Sequence, residues 1–524
     1  MRKTFKKLAA FTLAATMLAG CSGASTSTKS TTAEKVGSAA SGTEAVVETV
    51  ADVDYKDHVV IGTHQAIDEL DPHESSKIVS KSYYMSVYNT LISMDEATLE
   101  LSPELATEWE WKDDVTFEIK LRDDVSFHDG SKMTAADVVY TFDRLKEQKK
   151  TSVTYVDKVE AVDEYTVRVN LKNPDMDFES KLADINVAIL SKSACEAAPE
   201  TGYKIGTGAW ILDDFVAGDY VDIVKNENYW GEVPKTEKMT YRYIAENASR
   251  VIALQNGEID LCYDVSQEDV QYVAEDSNLD LTQIPTSTLV YLAFDTSEAP
   301  GNDQNLRLAI AHAINVEDIM AVATNGVGEI AITDWGKNTI GYYDGFGAYE
   351  QNLELAKEYL DKAFPNGNAK IRITCQTSGY KKILSVIQEQ VRPIGLEIEI
   401  EQVEAAAQSA MSKFDVHEHE AVCYGYVWDT GSTKAMQRYY PDSNNNKAIL
   451  SNERVIELLD LGIAEQDTEK RKEYYKEIQE MNHEQAWYIP LYYVVKAIGS
   501  DKDASGFTLN PSQSFDLTYM VVAD

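Results

Sequence analysis

The chain has 524 residues, 44% of them hydrophobic, with 87 acidic against 48 basic side chains and a formal net charge of −39. That balance excludes nucleic acid and anionic lipid surfaces as partners, because both would repel it. The length exceeds what one hydrophobic core supports and implies two or three domains.

In chain order, Arg2, Lys3, Lys6 and Lys7 precede an apolar run from Leu8 to Leu18 that is too short to cross a bilayer. Leu18-Ala19-Gly20-Cys21 follows and resembles the lipobox of bacterial lipoproteins, in which the cysteine receives a diacylglyceryl group before cleavage. An ordinary secretory signal with an incidental cysteine is the alternative. The expectation is a signal peptide over residues 1–20, a lipidated Cys21 and a flexible Ser/Thr/Ala-rich tether over 21–51, which holds the protein extracytoplasmic on the bacterial cell membrane. Cleavage removes four positive residues and no acid, making the charge −43. The other cysteines, Cys195, Cys262, Cys375 and Cys423, are few and far apart, which argues for separately buried thiols and against a disulfide scaffold.

Beyond the tether, a strand is predicted at His58–Gly62 and a helix from Ser76 to Ile92, with Val79, Tyr83, Val87 and Leu91 on one face. Thr116–Leu121 alternates as a strand, and Thr134-Ala-Ala-Asp137 has the pattern of a capping box opening a helix to Leu145. Hairpins are predicted at 156–162 with 165–171 and at 209–216 with 220–224, and a β-α-β run spans 239–262. Helical stripes follow at Leu306–Ile314 and Leu353–Ala363. A β-α-β unit of 370–375, 381–391 and 396–401 implies a parallel pair. Acidic helices at 453–465 and 469–485 lead to a last strand, 488–498, so the class is α/β with mixed sheets.

The stretch Ala421–Asp429 reads as a buried strand of β-branched and aromatic residues that ends in one carboxylate before the turn-like Thr430-Gly431-Ser432. An acid at such a boundary can hold a cation in a cleft, or can simply cap a turn or helix. Catalytic signals are weak: there is no G-x-S-x-G, no phosphate-binding G-x-x-x-x-G-K-[ST] and no H-E-x-x-H. His417-Glu418-His419-Glu420 places two imidazoles on one face of an extended segment, which is short of a metal site and equally well a solvated loop.

The runs Val87–Ile92, Pro103–Ala106, Phe117–Arg122, Val125–Gly130, Met133–Val138, Gly206–Gly208, Asn226–Trp230, Gln255–Asp260 and Leu306–Ile314 occur in the order found in family 5 extracellular solute-binding proteins. These are the dipeptide- and oligopeptide-binding lipoproteins of ABC importers, and the resemblance covers nearly the whole mature chain. It implies a two-lobed periplasmic-binding-protein-like clamp with a discontinuous domain I (52–90, 205–290, 490–524), an inserted domain II (91–204) and a domain III (291–489), hinged near Tyr291 and Leu491. It implies a monomeric receptor with no cofactor, no metal and no catalysis, whose partners are a peptide-like solute and the permease subunits. In peptide-binding members a G-W-x-x-D motif supplies an Asp for the ligand's α-ammonium. Here it stands as Gly425-Tyr426-Val427-Trp428-Asp429. The implied ligand contacts are Asp429 with Tyr424, Gly425, Tyr426, Val427 and Trp428, the ligand adding as a strand, together with Ser75 and Ser76 of domain I. The loop Gln376–Tyr380 lacks the arginine that holds a dipeptide's carboxylate, with Lys381 and Lys382 the nearest cations. Longer peptides, amines, an oligosaccharide or a metal chelate therefore stay open as solutes. An extracellular hydrolase is the reading from another class.

Overall fold

The computed structural model describes residues 53–411, 416, 418–428, 438–441 and 443–524. Cys21 with its signal peptide and tether, Asp429 and His417 lie outside the described residues.

The strands in chain order are β1 (His58–Thr63), β2 (Ile92–Met94), β3 (Leu101–Pro103), β4 (Ala106–Trp111), β5 (Thr116–Leu121), β6 (Val156–Ala161), β7 (Thr166–Leu171), β8 (Trp210–Val216) and β9 (Tyr220–Lys225). They continue with β10 (Lys238–Tyr243), β11 (Leu261–Val265), β12 (Leu279–Phe294), β13 (Glu329–Ile330), β14 (Lys370–Cys375), β15 (Glu397–Gln402), β16 (Ala421–Val427) and β17 (Tyr488–Asp501). One large sheet runs β15-β14-β16-β12-β17-β11-β1-β10-β9-β8, with β13 attached to β17. A separate antiparallel sheet, β4-β5-β7-β6, carries alternating buried residues such as Val167, Val169 and Leu171. They meet Val138, Phe142 and Leu145 of the Ala135–Glu147 helix in a core of their own.

The local chemistry accounts for the element ends. Asp137 accepts hydrogen bonds from the Thr134 backbone N–H at 2.9 Å and from its hydroxyl at 3.1 Å, which starts the Ala135–Glu147 helix where the pattern placed it. The helix expected over 76–92 spans only Ile78–Val87. The half-buried Glu104 carboxylate captures the Thr90 N–H at 3.1 Å, the Thr90 hydroxyl at 2.5 Å and the Asn89 amide at 2.7 Å, and these bonds hold the chain out of helical geometry. β14 and β15 pair in parallel, as the β-α-β reading required. The run 239–262 instead places β10 and β11 on opposite sides of β1, parallel to it and not to each other as neighbours.

The sequence pattern predicts no strand at β12, the longest among the described residues. It pairs antiparallel with β17 from Leu279↔Asp501 to Pro285↔Val495 and resumes at Leu289↔Tyr493, so Thr286, Ser287 and Thr288 together face Val494. A second irregularity leaves Leu491 as an extra residue on β17, while Tyr291 stands in regular register with Pro490. Beyond the break β12 gains β16 as its other neighbour, from Thr288↔Val427 to Phe294↔Ala421. The polar break explains the omission: Pro285-Thr-Ser-Thr288 interrupts the period-2 pattern that identifies strands. The break is held from outside the ladder, with the Ser287 backbone N–H donating to Pro511 O at 2.9 Å and the Gln513 amide donating to the Thr288 hydroxyl at 2.9 Å.

Candidate functional site

β16 lies between β14, parallel to it, and β12, antiparallel to it, but the two neighbours cover it unequally. β14 pairs only with Ala421, Val422 and Cys423, because it ends at Cys375 opposite Cys423. From Tyr424 to Val427, β12 is the only strand among the described residues that pairs with β16. The burial pattern follows the ladder, with Ala421–Cys423 fully buried and Tyr424–Val427 half-buried. These four residues thus combine partial exposure with an edge along which β14 does not pair.

The chain turns away from that edge into a helix and not into the expected loop. The Thr377 hydroxyl accepts from the Tyr380 N–H at 3.2 Å and caps the helix Ser378–Val391. Tyr380 then reaches back over β16, where its hydroxyl fills the space that a Cβ on Gly425 would need. Burial pushes the Tyr380 phenol well above its ordinary range.

The other face of β16 is the aromatic side. Tyr424 and Tyr426 project toward a cluster containing Tyr291, Tyr439, Tyr488, Trp335 and Trp428. Trp428, expected as a ligand wall, is 1% exposed. Its backbone N–H donates to Ser287 O at 3.0 Å, and its ring packs 5.3 Å from that of Trp335. Alternation along the strand puts Tyr424, Tyr426 and Trp428 on one face, and that face turns into the protein. Two cations that sequence reasoning missed sit beneath them. Arg438 is fully buried between the rings of Tyr291 and Tyr488, its guanidinium carbon 4.1 Å from each centroid, and its Nη1 donates to Asp334 O at 2.8 Å. Its Nε and Nη2 meet no oxygen among the described residues, and ring faces take that place. Lys447 stands 5.4 Å from the Tyr424 ring, its amine pushed down to about 8 by burial. Burial also pushes the Asp334 carboxyl up, although the nearby Arg438 charge opposes it. A buried arginine gives no sequence signal, since arginine normally marks a surface.

Ser75 and Ser76 lie at the start of the Ile78–Val87 helix. The Ser75 carbonyl accepts from the Asn186 amide at 2.9 Å, its hydroxyl accepts from the Lys77 N–H at 3.3 Å, and Ser76 is exposed. No hydrogen bond among the described residues joins them to β16. In the His417–Glu420 segment, His419 is buried with its ring nitrogens facing Lys447 O at 3.0 Å and Met411 O at 3.3 Å, and Glu420 accepts from the Arg372 N–H at 2.6 Å. No cluster of three or more metal-capable side chains occurs among the described residues. Cys195, Cys262, Cys375 and Cys423 are all buried and free. No helix among the described residues is long and apolar enough to cross a membrane. Cavities of about 490 and 470 Å³ lie away from β16, and the site is recognised by the edge along which β14 no longer pairs.

Comparison with known proteins agrees with this architecture. The family model described as bacterial extracellular solute-binding proteins, family 5 Middle, matches residues 100–448. The glutathione-binding protein GsiB of Escherichia coli (strain K12) is 26% identical over 477 residues, covering 87% of this chain and 93% of that protein. Among solved structures, the ABC transporter substrate-binding protein CtaP from Listeria monocytogenes superposes with a TM-score of 0.83 at 23% identity, over 90% of this chain and 100% of that one. A putative peptide-binding protein, AppA from Clostridium difficile, gives 0.79 at 25% identity, over 90% and 100%.

Proposed function

Since the chain belongs to the bacterial extracellular solute-binding proteins of family 5, a family of two-lobed binding proteins and not of enzymes, we propose that it captures peptides between its lobes and delivers them to the permease of an ABC importer. The observation that carries the peptide reading is the edge of β16 from Tyr424 to Val427, along which β14 no longer pairs. An extended peptide can add there as a strand, main chain to main chain, which gives affinity with little regard to side chains. Asp429 follows Trp428 in the sequence and is the carboxylate assigned to the ligand's α-ammonium, while Ser75 and Ser76 supply polar groups from domain I. An oligosaccharide receptor needs exposed indole platforms, and the indole nearest in sequence, Trp428, is buried.

In this reading domain I (52–90, 205–290, 490–524) with domain II (91–204) forms one lobe and domain III (291–489) the other. The chain passes between the lobes along β12 and β17, with the hinge near Tyr291 and Leu491, and the register breaks at Thr286–Thr288 and Leu491 support bending there. The receptor acts as a monomer tethered through lipid on Cys21. The test is native mass spectrometry of purified protein, followed by thermal-shift and calorimetric titration with reduced glutathione and trialanine. Co-purifying peptides, or saturable binding of either probe, is the expected result. Protein that carries no peptide and binds neither, but binds a non-peptide amine or chelate, would overturn the peptide reading.

A further inference from the structure

Away from β16, a segment of the 91–204 insertion meets two helices of the 291–489 region. The Met176 N–H donates to Ile463 O at 3.0 Å, and the Gln466 amide donates to Asp114 Oδ1 at 3.3 Å. Between these contacts the Arg471 guanidinium pairs with the Asp177 carboxylate, while its Nε donates to Gly462 O at 3.0 Å. Both side chains of the ion pair are only 6% exposed. The apolar cores behind the two surfaces remain separate clusters, one built on β4–β7 and the other on Trp335, Tyr475 and their neighbours. Polar groups therefore hold this contact, which suits a surface that opens and closes. A cavity of about 470 Å³ beside the pair is lined from both sides, by Trp111 and Glu179 and by Ile340 and Thr468, and gives water a path to the charges on opening.

We infer that Asp177 and Arg471 form a closing latch between the lobes, positioning residues that set the receptor's affinity without touching its solute. The inference rests on the two-lobed solute-binding reading above. Its physics follows from partition of the pair across the cleft. In an open molecule each charge is hydrated; in the closed one they neutralise each other in a water-poor contact. A buried pair roughly breaks even against hydration, so the latch does not hold an empty receptor shut. Removing one member changes that, because every closure must then bury the other charge without this counterion. Solute binding stabilises only the closed state and bears the whole of this penalty.

The experiment compares Asp177→Asn with the wild type, in the full chain. Three quantities are read: affinity for reduced glutathione and trialanine, melting temperature without ligand, and excimer fluorescence from pyrene placed at Asp114→Cys and Gln466→Cys. The variant should bind about ten- to a hundredfold more weakly and show less excimer with and without probe. Its ligand-free melting temperature should be unchanged, since each lobe keeps its own core. Unchanged affinity and excimer would overturn the latch. So would a ligand-free melting temperature that falls with the affinity, because the pair would then belong to the fold and not to the motion. If the wild type binds neither probe but the excimer still depends on Asp177, the peptide reading fails and the latch stands.

Discussion

Two glycines near β16 separate the binding edge from the core beneath it. A Cβ added at Gly425 would fall well inside contact of the Tyr380 hydroxyl, with the next atoms, Tyr380 Cζ at 3.3 Å and Thr288 Cγ2 at 3.8 Å, at the limit of contact. Only the far end of one half-buried side chain must move. Displacing it costs about 1–3 kcal/mol, against a gain of about 1 kcal/mol from replacing a strand glycine. Gly425→Ala should therefore melt within about 3 °C of the wild type. Gly336 differs: an added Cβ would strike the root of Trp428, with Cγ at 2.6 Å and Cδ2 at 3.1 Å. That ring is held by Trp335 at 5.3 Å, Tyr426 at 5.5 Å and Arg438 at 5.4 Å, and it has nowhere to go. Gly336→Ala should cost about 3 kcal/mol or more and lower the melting temperature by roughly 5 °C or more. Binding should rank the two in the other order. The displaced Tyr380 ring alters the surface beside the binding edge, so Gly425→Ala should weaken a peptide probe about tenfold by calorimetry, a loss of about 1.4 kcal/mol. A Gly425→Ala protein that melts as low as Gly336→Ala, or that binds as the wild type does, would refute the reasoning.

Asp429→Asn should weaken free-amine peptides by about two to three decades, the ~3–5 kcal/mol of an unpaired buried charge, with little further loss for N-acetylated peptides; equal binding of both by wild type and variant would remove the amine anchor. His73 and His128 are held down to about 4 by burial. His73 also lies beside the opposing charges of Asp71 and Arg144, and the His128 Nδ1 accepts the Gly206 N–H at 3.3 Å. Both are neutral when folded and bind a proton near 6.5 when unfolded, so stability should fall as pH drops from 6.5 toward 4, by at most about 3 kcal/mol per histidine, and the slope in denaturant melts should shrink in His128→Asn. Cys21→Ala should release the protein to the medium or leave the precursor uncut; processed, membrane-bound variant would show that lipid is not the tether.

Much of the fold was legible because local chemistry and tertiary structure agree: β5 and the Leu353–Ala363 helix have the predicted bounds, and the β14–β15 unit is parallel as read. Where they disagree, the sequence misleads for identifiable reasons. β12 is hidden by its polar break, and Gln376–Tyr380 reads as a loop because Thr377 and Gly379 mask a capped helix start. At the site, the extent of the edge at Tyr424–Val427 depends on where β14 stops, which no pattern in β16 records. The inward turn of Trp428 was latent in the alternation, yet its distinction from Tyr426 comes from Trp335 and Gly336, about ninety residues upstream. Arg438 and Lys447 were invisible, because only the assembled aromatic cluster makes burial of a cation tolerable.

The placement of β17 has a consequence for the order in which the molecule assembles. This strand follows 487 residues of chain, yet it lies in the middle of the large sheet, between β11 and β12. Until it emerges, β11 and β12 each present a bare edge, and the sheet exists only as two unjoined parts. The pairing that joins them spans more than two hundred residues of sequence, from Leu279 to Asp501, a long-range contact that forms slowly. A protein destined for the outside of the cell must cross the membrane before it sets. Leaving the keystone strand to the end of synthesis keeps the chain threadable through that passage, and lets the sheet lock only when nearly all of it has arrived.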